Sequence, residues 1–416
     1  MGILAGLRLV EVSAFVAAPS AGLAMAQMGA EVIRIDDVRG GLDSRRWPVT
    51  GDNVSLFWQG LNKNKRSVAI DIRKPEGQEL VRELICAPGE DAGLFLTNFP
   101  PSNWLSYEGL CEARKDLIQL TVMGDRHGGS AVDYTVNPAV GVPLFTGPEG
   151  HEVPVNNVLP AWDCVTGQMA VSGLLAAERH RSRTGEGQHI KLALEDVAMA
   201  TMGSLGFLAE AELGAERERS GNYLYGAFGR DFVSGDGVRF MVVGLTPKQW
   251  RGLCDATGLA VELERLATSE GLDFSREGDR YAARREIAAL FESWAVERSI
   301  EDIELAFVKE KVCWSRYRTV VDMVQNDPDC SADNPMFVRQ EQPEVGEFLM
   351  AGSPLDFGGL DREDTDIAPR LGEHTEEVLS QVLHLSSGEI GRLSERDVVL
   401  VGQQRYGVNT KEMRTA

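Results

Sequence analysis

The sequence predicts an α/β fold: a large domain on a parallel sheet covered by helices, with a smaller α+β domain set into the middle of the chain. Two observations predict it. Strand and helix signals alternate through the first half, and that alternation is how parallel strands are connected. After residue 215 the texture changes to loops dense in Gly and aromatics, followed by a run of helical segments.

The elements follow in order. "LRLVEV" (7–12) reads as a buried strand, and "SAGLAMAQMG" (20–29) as a short helix ending at Gly29. "AEVIRID" (30–36) and "SVAIDI" (67–72) are the next strands. Pro75 then opens "PEGQELVRELI", at a first-turn position where its missing N–H costs little. "AGLFLTNF" (92–99) and "LIQLTVM" (117–123) continue the sheet. The segment 124–157 reads as one long Gly- and Pro-containing loop, a kind of connection that is more often functional than idle. "DCVTGQMAVSGLLAAERHRSR" is a helix with Val165, Met169, Ser172 and Leu175 near one face, and "HIKLAL" is a strand leading into a helix from Glu195. Residues 221–245 read as a loop and a hairpin, 247–311 as helices, and 327–337 as a turn-rich linker. The expected domains are therefore 1–215, then 216–330 with its linkers, then a C-terminal segment 331–416 that returns to the first.

Composition narrows the function classes. Apolar residues make up 43% and charged residues 25%, as in ordinary soluble proteins. A net charge of -21 argues against general affinity for nucleic acid or anionic membrane, since both need basic patches. The six cysteines form no C-x-x-C pair, so neither a metal site nor a disulfide framework is expected. The N-terminal apolar run is too short for a signal peptide, and no stretch approaches the length of a membrane span. A reduced, cytoplasmic protein is the expectation.

Few motifs carry chemistry by themselves. The first strand–helix connection, "EVSAFVAAPSAGLAMA", has no G-x-G-x-x-G, which removes the main support for a dinucleotide site. His127 is either a general base or a solvated loop histidine. Cys164 is either a nucleophile or a small buried hydrophobe. The run "NKNKR" (62–66), with Lys65, is either a solvated turn or a grip for phosphate. Asp163, at the start of "DCVTGQM", is either a helix N-cap or the residue that does the chemistry, and spacing alone leaves both open.

Taken in order, "GLRLVEVSAFVAAPSAGLAMAQMGAEVIRID", "NKRSVAIDIRKPEGQELVREL", "TNF" (97–99), "WDCVTGQMAVSGLLAAERHRSRTGEGQHIKLAL" and "PRLGEHTEEVL" resemble the class III CoA-transferases of the CaiB/BaiF type. The resemblance implies a Rossmann-like large domain that holds CoA, a smaller domain, and two chains interlocked as an intertwined homodimer. It matches Asp163 to the family's catalytic aspartate. It matches Phe15, Val16, Ala17, Asn98, Phe99 and Tyr134 to CoA-contacting segments. The acidic-then-basic pair after the second strand reads Asp36-Asp37 here, so phosphate contact passes to Arg39, with Lys65 of the basic run as a second cation. Ser106 stands where an arginine often follows the Asn-Phe motif. Val132 stands where the racemases carry a histidine, and the Gly-rich lid of formyl-CoA transferase is replaced by "GNYLYGAFGRDF".

The stretches "RRWPVTGDN", "ICAPGEDAGLFLTNFP", "GGSAVDYTVNPAVGVPLFTGP" and "DPDCSADNPMF" resemble members of that family that move CoA between the two carboxyl groups of mesaconate, in the 3-hydroxypropionate cycle of carbon fixation. The implied chemistry is covalent, through an aspartyl-CoA thioester at Asp163. The helix N-terminus is expected to keep that carboxylate ionised. CoA enters as part of the substrate, and no further cofactor or metal is implied. Arg126, His127 and Arg230 are the expected cations for the diacid. Tyr225, with Tyr223, Phe228 and Phe232, is expected in a lid that excludes water, the alternative being an aromatic core cluster. Two other readings remain: intermolecular transfer to a separate dicarboxylic acid, and a noncatalytic CoA- or nucleotide-binding protein.

Overall fold

A computed structural model of the chain describes residues 2–100 and 103–402. The contacts of the described residues divide them into two compact units: those within 2–140, 157–209 and 328–402 form the first, and 141–156 with 210–327 the second.

The first unit is built on six strands: β1 (Arg8–Val12), β2 (Glu31–Asp36), β3 (Arg66–Ala69), β4 (Leu94–Thr97), β5 (Ile118–Met123) and β6 (Gln188–Ala193). They pair in the order β3-β2-β1-β4-β5-β6, and every pairing is parallel. The helices that position the site are α1 (Ala17–Gln27), α2 (Leu56–Leu61), α3 (Pro75–Cys86), α4 (Tyr107–Ala113), α5 (Asp133–Ala139), α7 (Ala161–Thr184) and α8 (Leu194–Ser204), whereas α6 (Val142–Phe145) belongs to the second unit. Alternating side chains of the strands feed two cores, one on each face. Leu9, Leu94, Leu96, Ile118 and Leu120 pack with α1 and α7 on one face. Val10, Val12, Ile33, Ile35 and Phe95 pack with α3 and the C-terminal helices Thr375–Leu383 and Ser387–Glu395 on the other. The C-terminal segment is hydrogen-bonded to β3: His374 N–H donates to Ser67 O at 2.9 Å, and Leu400 N–H to Ala69 O at 3.1 Å.

One reading of the first half is corrected. The segment 124–157 is no bare loop. It contains α5 and α6, hidden in the sequence by Pro138 inside α5 and Pro143 at the start of α6. On α7 the buried face carries Trp162, Thr166, Ala170, Val171 and Leu174, whereas Val165 and Met169 are exposed.

Beneath β1 and β2 lies a buried ion cluster. The Arg34 guanidinium meets Asp36 at 2.9 Å, Glu11 at 3.0 Å and Asp43 at 3.0 Å, all four side chains being nearly inaccessible. The Lys65 ammonium joins it, 3.0 Å from Glu11 Oε2 and donating to Pro19 O at 2.8 Å and Asn62 Oδ1 at 3.2 Å.

The second unit holds a three-stranded antiparallel sheet, β7 (Phe228–Val233), β8 (Arg239–Gly244) and β9 (Cys313–Arg316). The hairpin read from the sequence thus gains a third strand from beyond the helices. Phe228, Phe232, Phe240, Trp250, Phe291 and Phe307 form its core. The unit also takes 141–156 and 210–215, which the sequence reading assigns to the large domain. Strands β10 (Phe337–Gln342) and β11 (Gly346–Ala351) make a hairpin within the first unit. No helix among the described residues is long and apolar enough to cross a membrane.

Candidate active site

In an open parallel sheet, the crevice for ligands lies past the carboxyl ends of the strands, where the strand order reverses. Here that point is between β1 and β4. The two strand ends are tied together by side chains. Thr97 Oγ1 donates to Val12 O at 2.7 Å. The Asn98 carboxamide clamps Ala14 from both sides, accepting from its N–H at 3.0 Å and donating to its carbonyl at 2.7 Å. The clamp forces the next residue into an unusual conformation: Phe15 sits at φ 67°. For a residue with a Cβ this costs about 1–3 kcal/mol, and such strain concentrates at functional sites. The Asp43 carboxylate holds it there by accepting the Phe15 N–H at 3.0 Å. Val16 and Ala17, both buried, then open α1 without a side-chain cap.

Helix α7 approaches α1 closely. A Cβ at Gly167 would lie 2.1 Å from Ser20 Oγ and 2.9 Å from Ala17 O, so only glycine fits there. Asp163 lies four residues earlier, on the same face of α7, at the level of the loop that carries Phe15 and Val16.

The question whether Asp163 caps its own helix has a definite answer. The residue before α7 is Pro160, which offers no capping side chain. The buried carboxylate of Asp133, on α5, takes the Trp162 N–H at 2.7 Å and the Asp163 N–H at 3.2 Å. The Trp162 indole donates to Asn137 Oδ1 at 3.0 Å and locks α5 to the start of α7. Asp163 is released from capping. Its half-buried side chain has no hydrogen-bond partner among the described residues.

Burial, and secondarily the charge of Asp133, push the Asp163 carboxyl up to about 6, against the opposing pull of Arg46. This corrects the expectation that the helix terminus keeps it well ionised: Asp133 already occupies the free N–H groups. Above pH 6 it is still mostly a carboxylate, and a partly desolvated one. The adjacent Cys164 thiol is pushed up by burial and then by Asp163, the opposite of what activates a thiolate nucleophile.

The other expected site residues fall in different places. Tyr134 is exposed on α5, its hydroxyl 3.5 Å from Val158 O. Arg39 is exposed at the end of β2 and pairs with Asp37 at 3.0 Å. Lys65 is corrected: its three donors are committed within the buried cluster, and no phosphate can reach it without dismantling that cluster. Phe99, Arg126 and His127 line a cavity of about 320 Å³, together with Tyr107, His189 and Lys191, and Asp163 is not among its lining residues. In the second unit, Arg230 is committed to Glu292 and the Tyr223 hydroxyl, each at 3.0 Å. The Tyr225 hydroxyl donates to Glu210 at 2.6 Å. Phe228 and Phe232 are core residues of that unit rather than parts of a lid.

Sequence reasoning missed two cations. Arg73 follows β3 and pairs with Asp71 at 2.7 Å, in electrostatic reach of Arg39. Arg46 lies with its guanidinium 5.4 Å from the Phe15 ring and 5.1 Å from the Phe57 ring. The signal for Arg46 was present in "RRWP", a basic dipeptide beside an aromatic in an acidic chain.

Comparisons with known proteins bear on this site. The model of CoA-transferase family III matches residues 4–375. The chain is 58% identical over 400 residues to 2-methylfumaryl-CoA isomerase of Chloroflexus aurantiacus, covering 96% of this chain and 98% of that one. It is 28% identical to succinate–glutarate CoA-transferase of Agrobacterium fabrum, over 91% of this chain and 95% of the other. Among solved structures, a CaiB/BaiF family protein from Brucella suis matches with a TM-score of 0.73 and 26% identity, covering 92% of this chain and 99% of that one.

Proposed function

The chain belongs to CoA-transferase family III, and on that premise we propose that it is an enzyme moving CoA between the two carboxyl groups of mesaconate, from 2-methylfumaryl-CoA to 3-methylfumaryl-CoA. The observation that carries the reading is 58% identity, across nearly the whole of both chains, to an isomerase of that substrate. The partnerless Asp163 carboxylate at the strand-order reversal supports the chemistry.

Asp163 attacks the thioester carbonyl of 2-methylfumaryl-CoA. The tetrahedral adduct expels CoA thiolate and leaves a mixed anhydride between Asp163 and C1 of mesaconate. The thiolate then attacks the aspartyl carbonyl of the anhydride, forming an aspartyl-CoA thioester and freeing the C1 carboxylate. The C4 carboxylate of the same diacid attacks that thioester and expels the thiolate again. Thiolate attack on the C4 acyl carbonyl yields 3-methylfumaryl-CoA and returns Asp163 as a carboxylate. No water or net proton is consumed. Partial desolvation of the carboxylate favours its attack, and holding the diacid in place supplies a high effective concentration for the second half.

CoA lies against the β1–α1 loop of Phe15, Val16 and Ala17, with Asn98 as the clamp, Phe99 and Tyr134 beside it, and Arg39 with Arg73 at the phosphates. The interlocked homodimer belongs to the same proposal, supported by the exposed apolar residues Val165, Met169, Met199 and Leu205 on and just after α7 and α8. Sedimentation giving a monomer would remove it.

The decisive assay incubates 2-methylfumaryl-CoA with isotopically labelled free mesaconate. Formation of 3-methylfumaryl-CoA without label fits the intramolecular route, and heavy labelling makes the enzyme an intermolecular transferase. Hydroxylamine added during turnover should leave a hydroxamate at Asp163; its absence would sink the covalent step.

A further inference from the structure

The first unit pairs its prominent arginines with carboxylates: Arg34, Arg39, Arg66, Arg73 and Arg114 each have one within 3.0 Å. Arg46 does not. Among the described residues no acceptor takes a hydrogen bond from its half-buried guanidinium. It lies instead over the Phe15 and Phe57 rings, at 5.4 and 5.1 Å. Ring faces attract the charge without engaging the N–H groups, so a planar fork of donors stays available.

The fork is positioned by the same parts that position Asp163. Asp43, whose carboxylate fixes Phe15, begins the short turn 43–45 that leads into Arg46. Ser55 Oγ donates to the carbonyls of Asp43 and Arg46 and, as the cap of α2, sets Phe57 beside them. The close α1–α7 approach at Gly167 brings the first turn of α7 to the Phe15 loop. The Arg46 charge is felt at the Asp163 carboxyl.

We propose that Arg46 takes the carboxylate of the diacid that is not engaged with CoA, and so retains the released diacid beside Asp163 between the two half-reactions. The inference rests on the function proposed above and names its specificity-determining residue. Mesaconate is nearly symmetric about its double bond apart from the methyl group. Arg46 therefore binds the C4 carboxylate while C1 reacts, and after the diacid turns end for end it binds the C1 carboxylate while C4 reacts. One cation serves both halves. A monocarboxylic acyl-CoA offers it nothing to hold and is selected against.

The test uses full-length enzyme with Arg46→Gln and Arg46→Lys, with folding checked by circular dichroism. Loss of a charge-assisted hydrogen bond should lower kcat/KM on 2-methylfumaryl-CoA by about ten- to a hundredfold in Arg46→Gln. The product that still forms should take up label from free mesaconate several-fold more than wild-type product does. Arg46→Lys, which keeps charge but loses the planar fork, should recover about tenfold of the rate. A merely structural role would slow turnover without opening exchange. Activity within about threefold of wild type (under 1 kcal/mol), or lost activity with no added label and no lysine rescue, would overturn the assignment. Calorimetry of free mesaconate on CoA-loaded enzyme reads the same contact without turnover. Binding lost in Arg46→Gln, in an enzyme found not to isomerise, would refute the function and leave Arg46 standing. Equal binding by both proteins would refute Arg46.

Discussion

Two clusters of charge in the first unit differ in one respect. Beneath β1 and β2, Glu11, Arg34, Asp36, Asp43 and Lys65 are buried and mutually paired. At the carboxyl edge of the same sheet, Asp163 and Arg46 are half-buried, and neither side chain makes a hydrogen bond to protein among the described residues. The first cluster satisfies its charges internally and holds the loops. In the second, one carboxylate and one guanidinium make no side-chain hydrogen bond among the described residues of the chain. Asp43 joins the two, since one of its oxygens serves Arg34 and its carboxylate also fixes the strained Phe15 beneath Arg46.

The contrast can be broken most directly at Asp163. Asp163→Ala should lower isomerase turnover by about 10⁴-fold or more, as removal of a covalent nucleophile does elsewhere, while binding of CoA persists. Chromatography of the CoA esters measures the first and calorimetry the second. Lys65→Met should do the reverse. Breaking a buried pair by removing one partner costs about 3–5 kcal/mol of stability, so denaturant unfolding should register it while the affinity for CoA stays close to wild type. A variant of normal stability with weakened CoA binding would reinstate Lys65 as a phosphate ligand.

A smaller effect concerns the stability cost of the nucleophile itself. The folded-state pKa of Asp163, about 6, lies above the ordinary 3.8 of an unfolded chain. The folded protein therefore binds that proton more tightly, and the ionised carboxylate destabilises the fold above pH 6. Asp163→Asn should be more stable than wild type by about 2 kcal/mol at pH 8. The gain should shrink as pH falls through 6 and vanish near 4, which thermal unfolding across pH would follow. The smallest effect is on the rate profile. Turnover should fall on the acid side near pH 6, and Asp133→Asn should move that limb downward. Asparagine still caps the helix but removes the second cause of the shift. An unmoved limb would mean that burial alone sets it.

The sheet was legible because buried parallel strands are rich in Val, Ile and Leu, as "LRLVEV" and "LIQLTVM" still are despite their few polar residues. Helix α5 was not, since Pro138 interrupts its local pattern. Lys65 misled because "NKNKR" has the texture of a solvated turn, while its burial depends on Glu11 and Arg34 from other strands. Asp163 looked like a cap because the cap that serves α7, Asp133, lies thirty residues earlier in the sequence.

By itself, then, the sequence determined the alternation of strands and helices, the acidic surface, and the ordered motifs that resemble the CoA-transferases. Periodicity and composition are local, and they survive reading one window at a time. Only the tertiary structure decided which charges are satisfied. Whether a carboxylate or a guanidinium has a partner depends on groups brought together from distant segments. Asp133 frees Asp163, Glu11 captures Lys65, and Phe15 and Phe57 lie beneath Arg46 without engaging its donors.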